Sequence, residues 1–439
     1  MEASMNTIVC KFGGTSLADA SQIMKAADIV RAEEARRFVV VSAPGKRYPV
    51  DVKITDMLYK CYELAASKKD FRSLLHEVGN RFREIVQDLG VSFDLDSELE
   101  LIRNVLQAAP QRDYAASRGE YLNAKILAAY LQFPFVDPAD CVRFTEEGDF
   151  DEIVTDQLLS AVLSALPNAV IAGFYGARPS GAVQTFSRGG SDVTGAIVAA
   201  AIHADLYENW TDVSGMLAAD PRIVKEPRVI DVISYRELRI LSYMGASVLH
   251  TDAVLPVRRA GIPINIRNTN SLKEPGTMIV PDADVRAHAV TGVAGRKGLS
   301  VVQVEKAMVS DGAGFTAILL DIFRTHRIPF EQCLTGIDTV SVVIRSDVLH
   351  PLKNAVLNEI RDILQPDKVD VRENLSMIAV VGEGTHDAHG VTTQILNAVE
   401  EAGIVINTIN QGAGDLNLII GVAEGDYEKA MQVIYGVIS

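Results

Sequence analysis

Over the first 280 residues of this 439-residue chain, short apolar runs alternate with stretches of helical periodicity, and that rhythm restricts the fold more than any other property. Residues 39–42, 170–173, 206–210 and 264–266 read as buried strands. Between them, Phe71, Leu74, Leu75, Val78, Phe82, Ile85, Val86 and Leu89 keep the i, i+3, i+4, i+7 spacing of a long amphipathic helix. Such alternation predicts an α/β fold, a mainly parallel sheet sandwiched by helices, with ligands at the carboxyl ends of the strands.

Past residue 282 the segments shorten. Strand-like 298–304, helix-like 315–324, strand-like 340–344 and helix-like 352–364 are followed by a second cycle at 377–381, 391–401, 417–422 and 427–437. Two similar cycles predict a pair of small α+β modules. Pro281, Asp282 and Asp284 mark the junction, which divides the chain into residues 1–285 and 286–439.

Two glycine pairs carry the first chemical signal. Lys11-Phe12-Gly13-Gly14-Thr15-Ser16 follows the β-branched run Thr7, Ile8, Val9, so a cation and two bare glycines stand where a strand ends. Glycine allows positive φ and brings N–H groups close to an anion, and lysine adds a point charge. The same pair serves equally as a simple tight turn. Far downstream, Phe186-Ser187-Arg188-Gly189-Gly190-Ser191-Asp192 runs into the helical stretch 193–203, with Ser191 placed as an N-cap and Asp192 in the first turn. Asp192 either takes part in chemistry or simply complements the helix dipole. Arg188 offers a planar fork suited to a carboxylate.

Two weaker segments join them. Ser117-Arg118-Gly119-Glu120 is expected to open a helix with the apolar face Leu122, Ile126, Leu127, Tyr130 and Leu131, where Glu120 could be only a cap. Trp210-Thr211-Asp212-Val213-Ser214-Gly215, followed by Asp220-Pro221-Arg222, suits a ribose or purine, with Arg222 reaching a phosphate.

Composition narrows the classes. A net charge of -15 and a pI near 5.1 disfavour binding to nucleic acid or a membrane surface, so an anionic substrate is drawn in by local cations. No run approaches the roughly 18 apolar residues of a membrane span, and residues 1–6 lack a secretory pattern, so a cytoplasmic protein is the expectation. Cys10, Cys61, Cys141 and Cys333 show no C-x-x-C spacing and read as small buried hydrophobes. No P-loop is present, Gly312 to Gly314 and Gly382 to Gly384 read as loop glycines, His386 and His389 as loop residues, and Arg36 and Arg37 as a solvated helix end.

With the four segments in this order, the chain resembles the aspartate kinases of the amino acid kinase superfamily, over essentially its whole length. The resemblance implies transfer of the ATP γ-phosphoryl group to the side-chain carboxylate of L-aspartate, giving 4-phospho-L-aspartate, the first step toward lysine, threonine and methionine. Lys11 would then neutralise the transferring phosphoryl, Gly13 and Gly14 would offer it N–H groups, and Ser42 would lie at the nucleotide phosphates. Arg188 would clamp the substrate carboxylate, Glu120 would receive its α-ammonium, and Thr55 and Ser191 would line it. Asp192 would position substrate and Lys11 rather than act as a strong base. Thr211, Asp212, Arg222 and Ser247 would hold the nucleotide, with Mg2+ carried mainly by the phosphates and no protein metal ligands. Ser247 stands where many relatives have a lysine, Leu217 replaces a tyrosine, and residues 46–53 look like an insertion; Lys46 or Lys225 is the candidate replacement cation.

The C-terminal part resembles paired ACT domains. Family precedent assigns 305–372 to the first module and 286–304 plus 373–439 to the second. Gly314, Phe315 and Thr316, with Glu331 and Ser341, match an effector-binding loop and strand. Lysine is the expected inhibitor, threonine the second choice, and a homodimer or homotetramer through these modules the expected assembly. Two competing readings are a kinase for glutamate or a nucleotide, and a catalytically dead amino-acid sensor. The first fits the paired modules and residues 117–120 less well; the second leaves the joint presence of Lys11, Arg188 and Asp192 unexplained.

Overall fold

A computed structural model describes residues 7–187, 189–246, 249, 251–281, 288–307, 314–382, 390–412 and 416–438. They pack as two compact units, one drawn from 1–216, 229–238 and 247–285, the other from 217–228, 239–246 and 286–439. The division follows no single cut in the chain. Segment 217–228 joins the second unit through Val293 N to Ala218 O, 2.7 Å, and Arg228 N to the Tyr435 hydroxyl, 2.8 Å.

The first unit carries strands β1 (Ile8–Phe12), β2 (Arg36–Val41), β3 (Phe135–Val136), β4 (Ala169–Ala172), β5 (Tyr175–Ala177), β6 (Val183–Thr185), β7 (Leu206–Thr211), β8 (Val232–Ser234), β9 (Ile264–Asn268) and β10 (Thr277–Val280). Eight form one sheet in the order β3-β4-β2-β1-β7-β9-β10-β8, and β5 and β6 form a separate hairpin. Every pairing in the large sheet is parallel except β9 with β10. The inner strands are apolar on both faces because helices cover both, as in Val39, Val40 and Val41 of β2, all fully buried.

The amphipathic stretch forms the helix Arg72–Leu89, which buries Leu75, Val78, Phe82 and Ile85 and ends at Gly90 with φ +64. Residues 117–120 do not open a helix. They lie in the second and third turns of Arg112–Leu131, whose start is supported by Asp113 in the first turn, and all four are buried. Arg36 and Arg37 are not a helix end either: they begin β2, and Arg36 is bonded to a buried carboxylate described below.

The second unit contains β11 (Gly292–Glu305), β12 (Gln332–Thr335), β13 (Thr339–Arg345), β14 (Lys368–Val381), β15 (Ile406–Asn410) and β16 (Asn417–Ala423), all antiparallel, in the order β12-β13-β11-β14-β16-β15. The expected strands 298–304 and 377–381 are the ends of two 14-residue strands that run side by side. Their apolar pattern is interrupted at Gly298, φ +74, and Asn374, φ +58, where the register of β11 against β14 shifts. Each half serves its own core. Val302 and Val304 pack with Leu319, Phe323, Val356 and Ile360, while Val293, Ile378 and Val380 pack with Ile395, Met431 and Ile434.

Candidate functional site

Strand β1 lies between β2 and β7, with Lys11 opposite Val40 on one side and Asn209 on the other. Side chains alternate along a strand, so Lys11 shares a sheet face with Tyr207 and Asn209, and Cys10 shares the other with Glu208 and Trp210. On the first face the helix Gly190–Ala201 brings Asp192 to Lys11: Nζ lies 2.6 Å from Oδ1, with the side chains 8% and 20% exposed. Asn209 Nδ2 donates to the same Oδ1 at 2.8 Å, and the Tyr207 hydroxyl donates to the Asp192 carbonyl at 3.2 Å.

Local sequence explains the placement. The helix starts at Gly190 after Gly189 at φ +56, a conformation glycine adopts freely, and no side chain caps it. Ser191 is therefore a buried second residue rather than the expected N-cap. A Cβ on Gly173 would fall 2.7 Å from Ser191 Cβ, so the strand-to-helix crossing depends on a bare backbone there. Phe174, between them, holds φ +83, unusual for an aromatic residue; its N–H is fixed by Thr194 Oγ1 at 3.0 Å.

The first glycine turn works differently from expectation. Gly14 has φ -60, an ordinary right-handed value, and the Gly13 N–H donates to Trp210 O at 2.9 Å, which removes it as a phosphate donor. Close approach is what demands glycine. A Cβ on Gly45 would lie 2.5 Å from the Gly14 carbonyl carbon, and Gly45 N donates to Gly14 O at 2.7 Å. The loop 46–53 is held by buried Arg81, which donates to Gly45 O and Val52 O, both at 2.9 Å. Arg47 bonds Asp51 at 3.0 Å and, against the effect of partial desolvation, keeps its carboxyl well below the usual range. Lys46 contacts Pro49 O at 3.3 Å, and Lys225 is exposed in the second unit.

Glu120 is a second distinctive group. Burial pushes its carboxyl up to about 8, although the amides of Glu120 and Ala43 and the Arg118 charge favour ionisation, and among the described residues its Oε2 has no hydrogen-bond partner. One turn on, fully buried Asn123 donates to Ser42 O at 2.8 Å, and its Oδ1 has no hydrogen-bond partner among the described residues. Ser42 follows β2, its N–H on Phe12 O at 3.3 Å, and half-buried Thr55 lies in the first turn of Ile54–Ala66. A buried carboxyl with an open acceptor suits a ligand ammonium.

Thr211 ends β7, with Oγ1 3.3 Å from the exposed Asp212 carboxylate. Arg222 belongs to the second unit, is 87% exposed, and pairs with Asp220 at 2.6 Å. Arg188 and Ser247 lie outside the described residues, as do His386 and His389. Sequence reasoning missed Asn209 and Arg81. The only trace of Asn209 was a polar pair, Glu208-Asn209, inside an otherwise apolar strand.

A family model described as "Amino acid kinase family" matches residues 6–268, and one described as "ACT domain" matches residues 378–437. The chain belongs to the amino acid kinase family. Within it, this kinase is 35% identical to Aspartokinase 3 of Bacillus subtilis over 97% of both chains. It superposes on a Clostridium acetobutylicum aspartate kinase with a TM-score of 0.90 at 41% identity, covering 99% of this chain and 100% of that one. Two structures of E. coli aspartokinase III, each 25% identical and covering 98% of this chain and 99% of that one, follow. The complex with aspartate and ADP (R-state) gives 0.73 and the complex with lysine and aspartate (T-state) 0.72. The kinase is thus an enzyme of the aspartokinase branch, with an amino acid kinase fold followed by ACT modules.

In the second unit Gly314, φ +108, caps the helix Phe315–Thr325, which begins with Phe315 and Thr316. Glu331 is engaged: Arg296 Nη1 lies 2.8 Å from Oε1, and the Tyr243 hydroxyl donates to Oε2 at 2.6 Å. Ser341 sits in β13 opposite Gln303 and Leu334.

Proposed function

We propose that the enzyme transfers the γ-phosphoryl group of MgATP to the side-chain carboxylate of L-aspartate. The observation that carries this is the Lys11–Asp192 pair at the end of the central strand, beside a glycine-entered helix start. One substrate oxygen forms a bond to the γ-phosphorus while the bond to the ADP oxygen breaks. A carboxylate nucleophile is already ionised near neutral pH, so no strong base is required. Catalysis is alignment and charge compensation around a loose transition state.

In this reading Lys11 balances charge on the moving phosphoryl and Asp192 holds Lys11. Arg188 grips the substrate carboxylate, Glu120 takes its α-ammonium, and Thr55 and Ser191 line it. Gly14, Ser42, Thr211, Asp212, Arg222 and Ser247 are assigned to the nucleotide; Gly13 only shapes the turn. Mg2+ enters with the nucleotide as part of the substrate, carried mainly by its phosphates. The first unit is catalytic, and the ACT modules, 305–372 and 286–304 plus 373–439, are regulatory and join subunits into a dimer or tetramer. The product feeds lysine, threonine and methionine synthesis in the cytoplasm, and lysine is the feedback inhibitor, as the lysine-bound T-state relative suggests.

The test is hydroxylamine trapping of the acyl phosphate with ATP and either L-aspartate or L-glutamate, repeated with added lysine or threonine. Hydroxamate from aspartate alone, suppressed by lysine, is expected. Hydroxamate only from glutamate, or none, overturns the substrate; suppression by threonine alone reassigns the effector.

A further inference from the structure

We propose that Asn209 is a positioning residue of the phosphoryl-transfer site, acting through Asp192 to fix where Lys11 presents its charge. The inference rests on the kinase reading and adds a residue that the reading does not use. Asn209 is 3% exposed in the middle of β7, where an unbonded carboxamide would be costly. Its Nδ2 donates at 2.8 Å to Asp192 Oδ1, the oxygen that Lys11 Nζ holds at 2.6 Å. The two donors come from adjacent strands whose register sets Lys11 directly opposite Asn209.

Geometry gives this contact a purpose. Lysine is a point charge on a flexible stem, and a carboxylate held only by lysine can rotate and carry the ammonium with it. A second donor anchored in the sheet removes that freedom, which matters because phosphoryl transfer depends on alignment. The charged and titratable groups around the amide are Lys11 from β1, Asp192 from the helix and the Tyr207 hydroxyl from β7, within hydrogen-bonding reach. A neutral donor suits this setting, whereas a second carboxylate would repel Asp192.

Steady-state kinetics of the full chain with Asn209→Leu and Asn209→Asp test the assignment. Losing one hydrogen bond to a charged group should lower kcat of Asn209→Leu by about 10- to 100-fold. KM for aspartate and ATP should stay within roughly threefold, as expected for an interaction spent on alignment. The carboxyl introduced by Asn209→Asp can donate to Asp192 only while protonated. Its kcat relative to the parent enzyme should therefore fall steadily from about pH 6 to about pH 9, while its Tm relative to the parent does not follow the same curve. A kcat for Asn209→Leu within twofold of the parent, or an Asn209→Asp profile parallel to the parent's, overturns the proposal. If Asn209→Leu fails to fold, the pH profile of Asn209→Asp decides alone. An active parent with unaffected variants sinks this inference only, whereas a parent that phosphorylates no aspartate sinks the kinase reading and this inference with it.

Discussion

Arg36, the first residue of β2, is bonded through two nitrogens to Glu208 of β7, Nε at 2.8 Å and Nη2 at 3.1 Å, on the sheet face opposite Lys11. The Glu208 carboxylate also accepts from Trp210 Nε1 at 2.9 Å and Cys10 Sγ at 3.3 Å. Burial pushes this carboxyl up, but the Arg36 bonds and charge outweigh it and hold the group ionised, below its usual range. Arg36 and Arg267 lie over the Trp210 ring at 5.5 Å and 4.6 Å.

Glu208→Ala strands a buried guanidinium, and breaking a buried pair from one side costs about 3–5 kcal/mol. Urea unfolding should show a loss of that size, with Glu208→Gln losing less. A change under about 1 kcal/mol, the scale of an exposed pair, would remove this network from the fold's main supports.

Lys11→Ala should lower kcat by at least about 100-fold, the scale of losing one preorganised charge-stabilising donor. Lys11→Arg should recover little, since a planar fork cannot reproduce a point charge between Asp192 and a phosphate. Turnover of Lys11→Ala within tenfold of the parent would take Lys11 out of the mechanism.

Glu120 gives a pH signature. Its carboxyl, near 4.3 in an unfolded chain, is pushed by burial to about 8 in the fold, so the native state holds the extra proton between those values. Its contribution to stability is complete below the unfolded value and is lost as pH rises through the folded one. The parent should therefore lose stability relative to Glu120→Gln between about pH 4.3 and about pH 8. Binding of the aspartate ammonium should favour the ionised form, so calorimetry near neutral pH in buffers of different ionisation enthalpy should detect proton release. Glu120→Ala should chiefly raise KM for aspartate, and an unchanged KM would reassign the residue.

Gly45→Ala brings a methyl group to 2.5 Å from the Gly14 carbonyl carbon, so backbone has to move. Overpacking of this kind costs about 1–3 kcal/mol. Because the displaced element is the first glycine turn, KM for ATP should rise more than KM for aspartate; an equal effect on both would argue that the turn does not face the nucleotide.

Glu331 is occupied by Arg296 and Tyr243, so an effector ammonium that uses Glu331 competes with them. Tyr243→Phe removes one competitor, worth about 0.5–1.5 kcal/mol, and, if lysine is the effector as proposed, should lower the lysine concentration needed for inhibition several-fold. Unaltered inhibition in both Tyr243→Phe and Glu331→Gln would move the effector site elsewhere.

Periodicity made much of the fold legible. The helix Val391–Glu401 coincides with its expected span, and β7 exceeds its expected run by one residue, because their apolar residues repeat at 3.6 and near-continuous spacing. Arg36 was read as solvated because its partner lies 172 residues away and only the stacking of β2 and β7 on either side of β1 brings it near. The glycines of the first turn were read as conformationally free, whereas the reason for them is the approach of Gly45, which no local pattern encodes. Asn209 went unread for a related cause: two adjacent polar residues in a buried strand have no period, and the meaning of Asn209 comes from the helix laid across it.

The unbroken course of β11 through both C-terminal cores bears on how the regulatory half melts. Neither core closes without the same 14 residues, and β14 repeats the arrangement beside it. Amide protons along both strands should therefore exchange with one shared opening free energy, so that loosening either effector module is felt by its neighbour without a linker to absorb it.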